Sequence, residues 1–219
     1  MRGGGVIFDL DGTLVDTNYI HVLAWHRSFL ETGQYVPMWS IHRVLGMSSA
    51  QLLEELTGRF DDDVSERHGR HFRAILDEVK AVPGAGDLLR EVHRRGATVA
   101  IATSAKEQDL EAMLAAIGAP EGTIDCVVHG AEVERSKPAP DIFATALDRS
   151  GLRAEEAVAV GDTTYDVLAA GRCGLSCVAL LTGGIAAAEL MQAGAAAVYE
   201  DPRDLLAQLS TSPLAPVLG

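Results

Sequence analysis

From residue 97 onward the chain alternates short apolar runs with segments of helical spacing, and this alternation restricts the fold more than any other feature. Ala97 to Ala102 reads as a buried strand, then helix Gln108 to Ile117, strand Cys126 to Val128 and helix Asp141 to Ser150. Strand Val158 to Val160, helix Asp166 to Arg172, strand Cys177 to Leu181, helical Ala187 to Ala193 and a last strand near Ala197 to Tyr199 follow. Strands connected through helices pair in parallel and need helices on both faces. Val6 to Phe8 adds one more strand near the start. The spacing therefore predicts an α/β fold with a doubly wound, mostly parallel sheet, whose ligands bind beyond the carboxyl ends of its strands.

Between Thr17 and Lys80 the pattern changes, and no strand is legible. Thr17 to Glu31 carries Ile20, Leu23, Ala24 and Phe29 at helical spacing, with Gly33 as its stop. Pro37 to Leu45, Ala50 to Leu56 and Val64 to Val79 continue as helical pieces. Asp61-Asp62-Asp63 reads as an exposed helix start, where carboxylates complement the helix dipole. Residues 17–80 are thus expected to form a small all-helical domain inserted after the first strand, with 1–16 and 81–219 making the α/β core. Ser210 to Gly219, with Pro213 and Pro216, reads as a loosely held tail.

The unusual polar residues fall where strands end. Asp9 and Asp11 follow Val6-Ile7-Phe8, Thr103-Ser104 follow the strand that ends at Ala102, and Gly161-Asp162 follow Val158 to Val160. A pair of carboxylates at the end of a buried strand is expensive to desolvate and needs a cation or another partner nearby. Each of the others has a plain explanation by itself. Thr103-Ser104 could cap the next helix, Lys137 could be a solvated lysine, and Asp162 with Asp166 could open a helix with an acidic first turn.

Taken together and in order, Asp9-Leu10-Asp11-Gly12-Thr13, Thr103-Ser104, Lys137-Pro138-Ala139-Pro140 and Gly161-Asp162-Thr163-Thr164-Tyr165-Asp166 resemble the four motifs of the haloacid dehalogenase superfamily. The helical insert resembles the cap that these Rossmann-like enzymes carry after the first strand. The resemblance implies a phosphatase acting through an aspartyl-phosphate, since the dehalogenase branch lacks the second Asp. It implies Asp9 as nucleophile, Asp11 as general acid and base, and Lys137 as the cation beside them. Leu10, Gly12, Thr103, Ser104 and Lys137 would hold the phosphoryl oxygens. Mg²⁺ would be bound by Asp9, the Asp11 carbonyl and Asp162, with Asp166 as ligand or as orienter of its waters.

Substrate choice would then lie in the cap, with Thr17, His21, Trp25, Arg43, Gly46 and the loop Met47-Ser48-Ser49 as candidate contacts. The Thr17, His21, Trp25 pattern also resembles the β-phosphoglucomutase branch, which returns the phosphoryl group to a sugar, although Met47-Ser48-Ser49 lacks the arginine of that branch. A catalytically idle phosphate-binding module is the third alternative. The formal charge of −13 argues against nucleic acid as a partner. Three unevenly spaced cysteines make neither a disulfide framework nor a zinc site. Met1-Arg2-Gly3-Gly4-Gly5 shows no apolar leader, and no apolar run reaches the length of a spanning helix. The expectation is a cytoplasmic monomer or homodimer, away from membranes, acting on a small phosphorylated metabolite.

Overall fold

Val6, Ile7 and Phe8 alternate between two faces that are both covered, which is why this strand carries no polar side chain. The computed structural model describes residues 3–219; Met1 and Arg2, the start of the glycine-rich leader, lie outside the described residues. The strands are β1 (Gly5–Phe8), β2 (Thr98–Thr103), β3 (Cys126–His129), β4 (Ala157–Gly161), β5 (Ser176–Leu180) and β6 (Ala197–Tyr199). They form one parallel sheet in the order β3-β2-β1-β4-β5-β6. Chain progression reverses direction between β1 and β4, and such a switch point opens a crevice at the carboxyl ends of the strands. Phe8 pairs with Ile101 and Val160, so the residues after β1, β2 and β4 emerge along one rim.

Helices cover both faces. On one side Val6, Phe8, Val99 and Ile101 pack against α5 (Ala85–Arg94), α6 (Glu107–Ile117) and α10 (Pro202–Ala207). On the other, Ile7, Ala100, Ala102 and Ala159 meet α7 (Asp141–Ser150), α8 (Thr164–Arg172) and α9 (Ala187–Ala193). The insert consists of α1 (Asn18–Glu31), α2 (Met38–Arg43), α3 (Ser49–Thr57) and α4 (Asp62–Arg73). It has an apolar cluster of its own, centred on Val22, Trp25, Phe29, Ile41 and Leu53. Asp61 is the N-cap of α4, its carboxylate accepting from the Val64 amide, as the acidic run suggested.

The structure corrects two expectations and adds one helix that the sequence reading lacks. Val64 to Val79 is not one helix: α4 ends at Arg73, and a 3₁₀ turn at Leu76–Glu78 swings Leu76 and Val79 onto the core of the sheet. Helix α10 was not legible in the apolar pattern; Asp201 caps it through bonds from the Arg203 and Asp204 amides, and Leu205 is fully buried. Ser210 to Gly219 is not loose. Leu214 and Val217 are buried in the main cluster, and the Gly219 amide donates to the Arg95 carbonyl at 2.9 Å. Pro216 sits in a tight 3₁₀ turn, Ala215–Val217, that aims these side chains inward. No helix among the described residues is long and apolar enough to cross a membrane.

Leu214→Ala is expected to destabilise the chain by about 2–5 kcal/mol, the usual loss for a fully buried leucine. That corresponds to a thermal midpoint lower by roughly 5–15 °C at this size. A midpoint unchanged in a melting curve would return the segment to the status of a tail.

Candidate functional site

The motif after β1 turns sharply because Leu10 offers its carbonyl to the amides of Thr13, Leu14 and Val15. Gly12 sits at φ 74° inside this turn. A Cβ there would lie 2.2 Å from both the Asn18 side-chain nitrogen and Asp162 Oδ2, so only glycine fits. The Gly12 amide donates to the Val15 carbonyl at 2.8 Å. This corrects the expectation that it holds a phosphoryl oxygen: the role of Gly12 is conformational. The Leu10 amide has no backbone partner among the described residues and remains available.

Lys137 lies at the centre of the rim. It is 1% exposed, with Nζ 2.6 Å from Asp9 Oδ1, 2.8 Å from Asp166 Oδ1 and donating to the Ala102 carbonyl at 3.2 Å. Its ammonium also stands 5.4 Å from the centre of the Phe143 ring. Burial works to neutralise this lysine, but Asp166 and Asp9 outweigh it and hold the charge. The solvated lysine allowed by sequence alone is thereby ruled out.

Asp162 follows β4 and is fully buried; Thr13 Oγ1 donates to its Oδ1 at 2.8 Å and Asn18 Nδ2 to its Oδ2 at 2.9 Å. Asp166 has two roles, one for each oxygen. Oδ2 accepts from the amide and hydroxyl of Thr163, closing a capping box at the start of α8, while Oδ1 faces Lys137. Gly161 makes room for it, since a Cβ there would meet the Asp166 side chain at 2.4 Å.

Asp9, Asp162 and Asp166 each offer an oxygen within 4.8 Å of the others, all three buried. When ionised, three carboxylates against one ammonium leave two negative charges, the amount that one divalent cation balances. Burial, then Asp166 and Asp9, push the Asp162 carboxyl well above its ordinary range. Burial also raises Asp9 to about 7 despite Lys137, with Asp166 and Asp11 adding to the shift. The buried Asp166 Oδ1 makes no hydrogen bond of good geometry. A hard cation with oxygen ligands fits this donor set.

Asp11 turns the other way, toward the helical insert. Thr17 Oγ1 donates to its Oδ1 at 2.6 Å and His21 Nε2 lies 3.1 Å from the same oxygen. Burial alone would raise this carboxyl, but the hydrogen bond from His21, then the one from Thr17, hold it below its ordinary value. Thr103 is fully buried 3.5 Å from Asp11 Oδ2 and accepts from the Ala105 amide. It does not cap α6, whose N-cap is Lys106.

A cavity of about 470 Å³ opens above these groups. Asp9, Asp11, Ser104 and Lys137 line its floor, and His21, Trp25, Gly46, Ser48 and Ser49 line its walls. Thr17 is fully buried beneath His21 and does not line it, and the Ser48 hydroxyl accepts from the Gln51 amide as the N-cap of α3. Arg43 is placed elsewhere. It pairs with Glu189 at 2.8 Å on the surface and does not line the cavity, so as a substrate contact it is corrected. Thr13 closes the Asp9-Leu10-Asp11-Gly12-Thr13 motif, although the sequence reading gives it no role of its own. Asn18 and His68 are not singled out by sequence, and of the two only Asn18, directly after Thr17 at a helix start, carries a local signal.

A profile of the family described as haloacid dehalogenase-like hydrolase matches residues 6–180. The chloroplastic protein Suppressor of Quenching 1 of Arabidopsis thaliana is 31% identical over 208 residues, covering 90% of this chain, which spans only 19% of that longer protein. The fructose-1-phosphate phosphatase YqaB of Escherichia coli K12 is 29% identical, covering 81% of this chain and 96% of its own. The crystal structure of a hydrolase from Pseudomonas syringae superposes with a TM-score of 0.89 at 36% identity, covering 95% of this chain and 98% of that one.

In the metal-free chain the raised Asp9 and Asp162 carboxyls keep protons that the unfolded chain has lost. Stability from these groups is therefore present below about pH 4 and falls as pH rises toward about 7. A divalent cation competes with those protons. At roughly a hundredfold excess over its dissociation constant, Mg²⁺ should stabilise by about 2.7 kcal/mol, or about 5–10 °C in thermal midpoint. The gain should be larger near pH 8 than near pH 5. Equal gains at both, or none, would count against a cation among these carboxylates.

Proposed function

The chain belongs to the haloacid dehalogenase-like hydrolase family, and from that premise we propose that it is a Mg²⁺-dependent phosphatase of a small phosphorylated metabolite, working through an aspartyl-phosphate on Asp9. One observation carries the proposal. Asp9 and Asp11 stand two residues apart on the cavity floor in opposite surroundings, one against a buried ammonium and two more acids, the other against a histidine and a hydroxyl. Opposite surroundings suit separate roles: a cation bound beside Asp9 would keep it ionised as nucleophile, while the Asp11 side chain, turned toward the insert, would be left to carry a proton when substrate arrives.

In the first half-reaction an Asp9 oxygen attacks phosphorus in line while the P–O bond to the leaving group breaks. Asp11 delivers its proton to the departing oxygen. An approaching phosphate dianion is a like charge that raises the proton affinity of Asp11, so the proton is taken up with the substrate. In the second half-reaction Asp11, again a carboxylate, removes a proton from water while the water oxygen attacks phosphorus and the P–O bond to Asp9 breaks, which releases inorganic phosphate and restores the Asp9 carboxylate. Lys137 offsets the repulsion between Asp9 and the substrate, and Ser104 with the Leu10 amide offers donors to the phosphoryl oxygens. Asp9, Asp162, Asp166 and the Asp11 carbonyl would hold Mg²⁺, which when bound supplies positive charge to the transferring group.

We propose residues 17–80 as a cap that excludes water from this chemistry and selects the leaving group. The cavity is larger than a two-carbon glycolate needs, which favours a leaving group of sugar size over phosphoglycolate. The mutase alternative gains nothing from the loop after Gly46, where Ser48 is occupied as a helix cap.

Inorganic phosphate should be released from at least one ester in a set containing fructose 1-phosphate, glucose 6-phosphate and phosphoglycolate. Conversion of glucose 1-phosphate to glucose 6-phosphate without phosphate release would favour the mutase. Asp9→Asn should lower turnover by about 10³-fold or more with the fold intact, and a chelator should abolish it reversibly. No hydrolysis even of p-nitrophenyl phosphate with Mg²⁺ present would leave a phosphate-binding module.

A further inference from the structure

A second histidine stands behind the first. His21 Nδ1 lies 3.1 Å from His68 Nε2, while His21 Nε2 faces Asp11. The two come from different helices of the insert, α1 and α4, so their meeting is a product of tertiary packing. Phe72 stacks on His21 with ring centres 4.1 Å apart, and Trp25 stacks on His68 at 3.9 Å. The imidazoles are therefore held edge to edge between aromatic plates.

The protons in this row can be assigned. Asp11 is a carboxylate and accepts, so the hydrogen on His21 that faces it is on Nε2. His68 Nδ1 is buried without any partner. An orphaned N–H is far rarer in a protein interior than an orphaned acceptor, so Nδ1 is bare and the His68 proton is on Nε2. His68 Nε2–H then donates to His21 Nδ1, and His21 Nε2–H donates to Asp11. Burial first, with the Lys106 and Arg73 cations adding to it, pushes His68 well below its ordinary range and keeps it neutral, as this assignment needs.

We propose that His68 is a positioning residue for the proton-transfer arm of the reaction: through its bond to His21 it fixes the tautomer and aim of the imidazole that orients Asp11. This rests on the phosphatase reading and deepens it, adding a residue that touches neither phosphoryl group nor metal ligand. As the P–O bond to the leaving group breaks, the proton on Asp11 moves to the departing oxygen. His21 and Thr17 then donate to the carboxylate left behind. Without His68, His21 is free to put its hydrogen on Nδ1 and present a bare Nε2 to Asp11, where two acceptors would repel.

A leaving group that needs no proton tests this directly. p-Nitrophenolate departs as a stable anion, whereas the alkoxide of glycerol 2-phosphate must be protonated. In His68→Phe, which keeps the stack on Trp25 but has no donor, kcat/KM for glycerol 2-phosphate should fall about 10–100-fold, the usual loss when an orienting partner is removed. For p-nitrophenyl phosphate it should fall less than about threefold. His68→Gln, whose amide can donate to His21 Nδ1, should recover most of the loss. Equal falls with both esters, no fall with either, or no recovery in the glutamine variant would overturn the role. So would a wild-type chain that hydrolyses only the aryl ester. If the wild-type chain hydrolyses neither, the phosphatase reading itself fails, and the two failures are told apart.

Discussion

Lys137 is the charge on which the rest of this structure depends. Its ammonium is buried at the ends of the strands and touches Asp9 and Asp166, and among the described residues those acids pair with no other cation. Removing one partner of such a buried set leaves uncompensated charge and is strongly destabilising. Yet the set is not balanced, since Asp162 adds a further buried acid. A fold selected for stability alone would fill this crevice with apolar side chains. Retaining an excess of buried negative charge is intelligible when a divalent cation completes it, and the glycines around it, which clear space for acid side chains at the expense of chain entropy, belong to the same arrangement.

The second constraint is that Asp9 and Asp11, two residues apart, are held in opposite surroundings. A single strand end cannot supply both. Asp9 is served from the sheet side, by Lys137 on the segment before α7, whose ammonium is held in turn by Asp166 at the start of α8. Asp11 is served from the insert, by Thr17 and His21 at the start of α1. Asn18, between them, reaches back to Asp162. One turn of α1 therefore touches both Asp11 and the acid cluster, so on the proposed phosphatase reading the insert takes part in the chemistry and is not merely a lid above it.

Much of this was legible in the sequence because it is local. Strand ends, the Asp-x-Asp spacing, Lys137 before a helix and the acids of α8 are read within a few residues, and the sheet's topology brings them together. What escaped depends on distance in the chain. His21 and His68 are 47 residues apart, and nothing in either helix marks the other as its partner. The tail was misjudged because two prolines usually signal a loose segment, while Leu214 and Val217, three apart in tight turns, were too sparse to read as an apolar face. Arg43 was put in the cavity on its charge alone, and its position at the end of α2 carries it to Glu189 instead.

The join between insert and sheet is built differently from either part. The insert's own apolar cluster is closed upon itself around Trp25, Phe29 and Ile41. Across the join, many of the contacts are polar: His42 Nε2 to the Gly183 carbonyl at 2.9 Å, the Tyr165 hydroxyl to the Arg43 carbonyl at 3.3 Å, Arg43 to Glu189, and the Ser48 amide to the Ser136 hydroxyl at 3.3 Å. Exposed pairs of this kind contribute little each, because water replaces them readily. Separating the two parts there would leave the insert's own cluster closed and expose mainly the seam where Ala24, Phe72 and Val79 meet the core of the sheet, while Lys137 and its acids stay held by the sheet. On the proposed phosphatase reading such a join would let the insert move while the Asp9, Lys137 and Asp166 set stays in place, with α1 withdrawing Thr17 and His21 from Asp11 and Asn18 from Asp162. Proton transfer would then be competent only with the insert closed, which would guard an acyl phosphate on Asp9 until Asp11 is again in position.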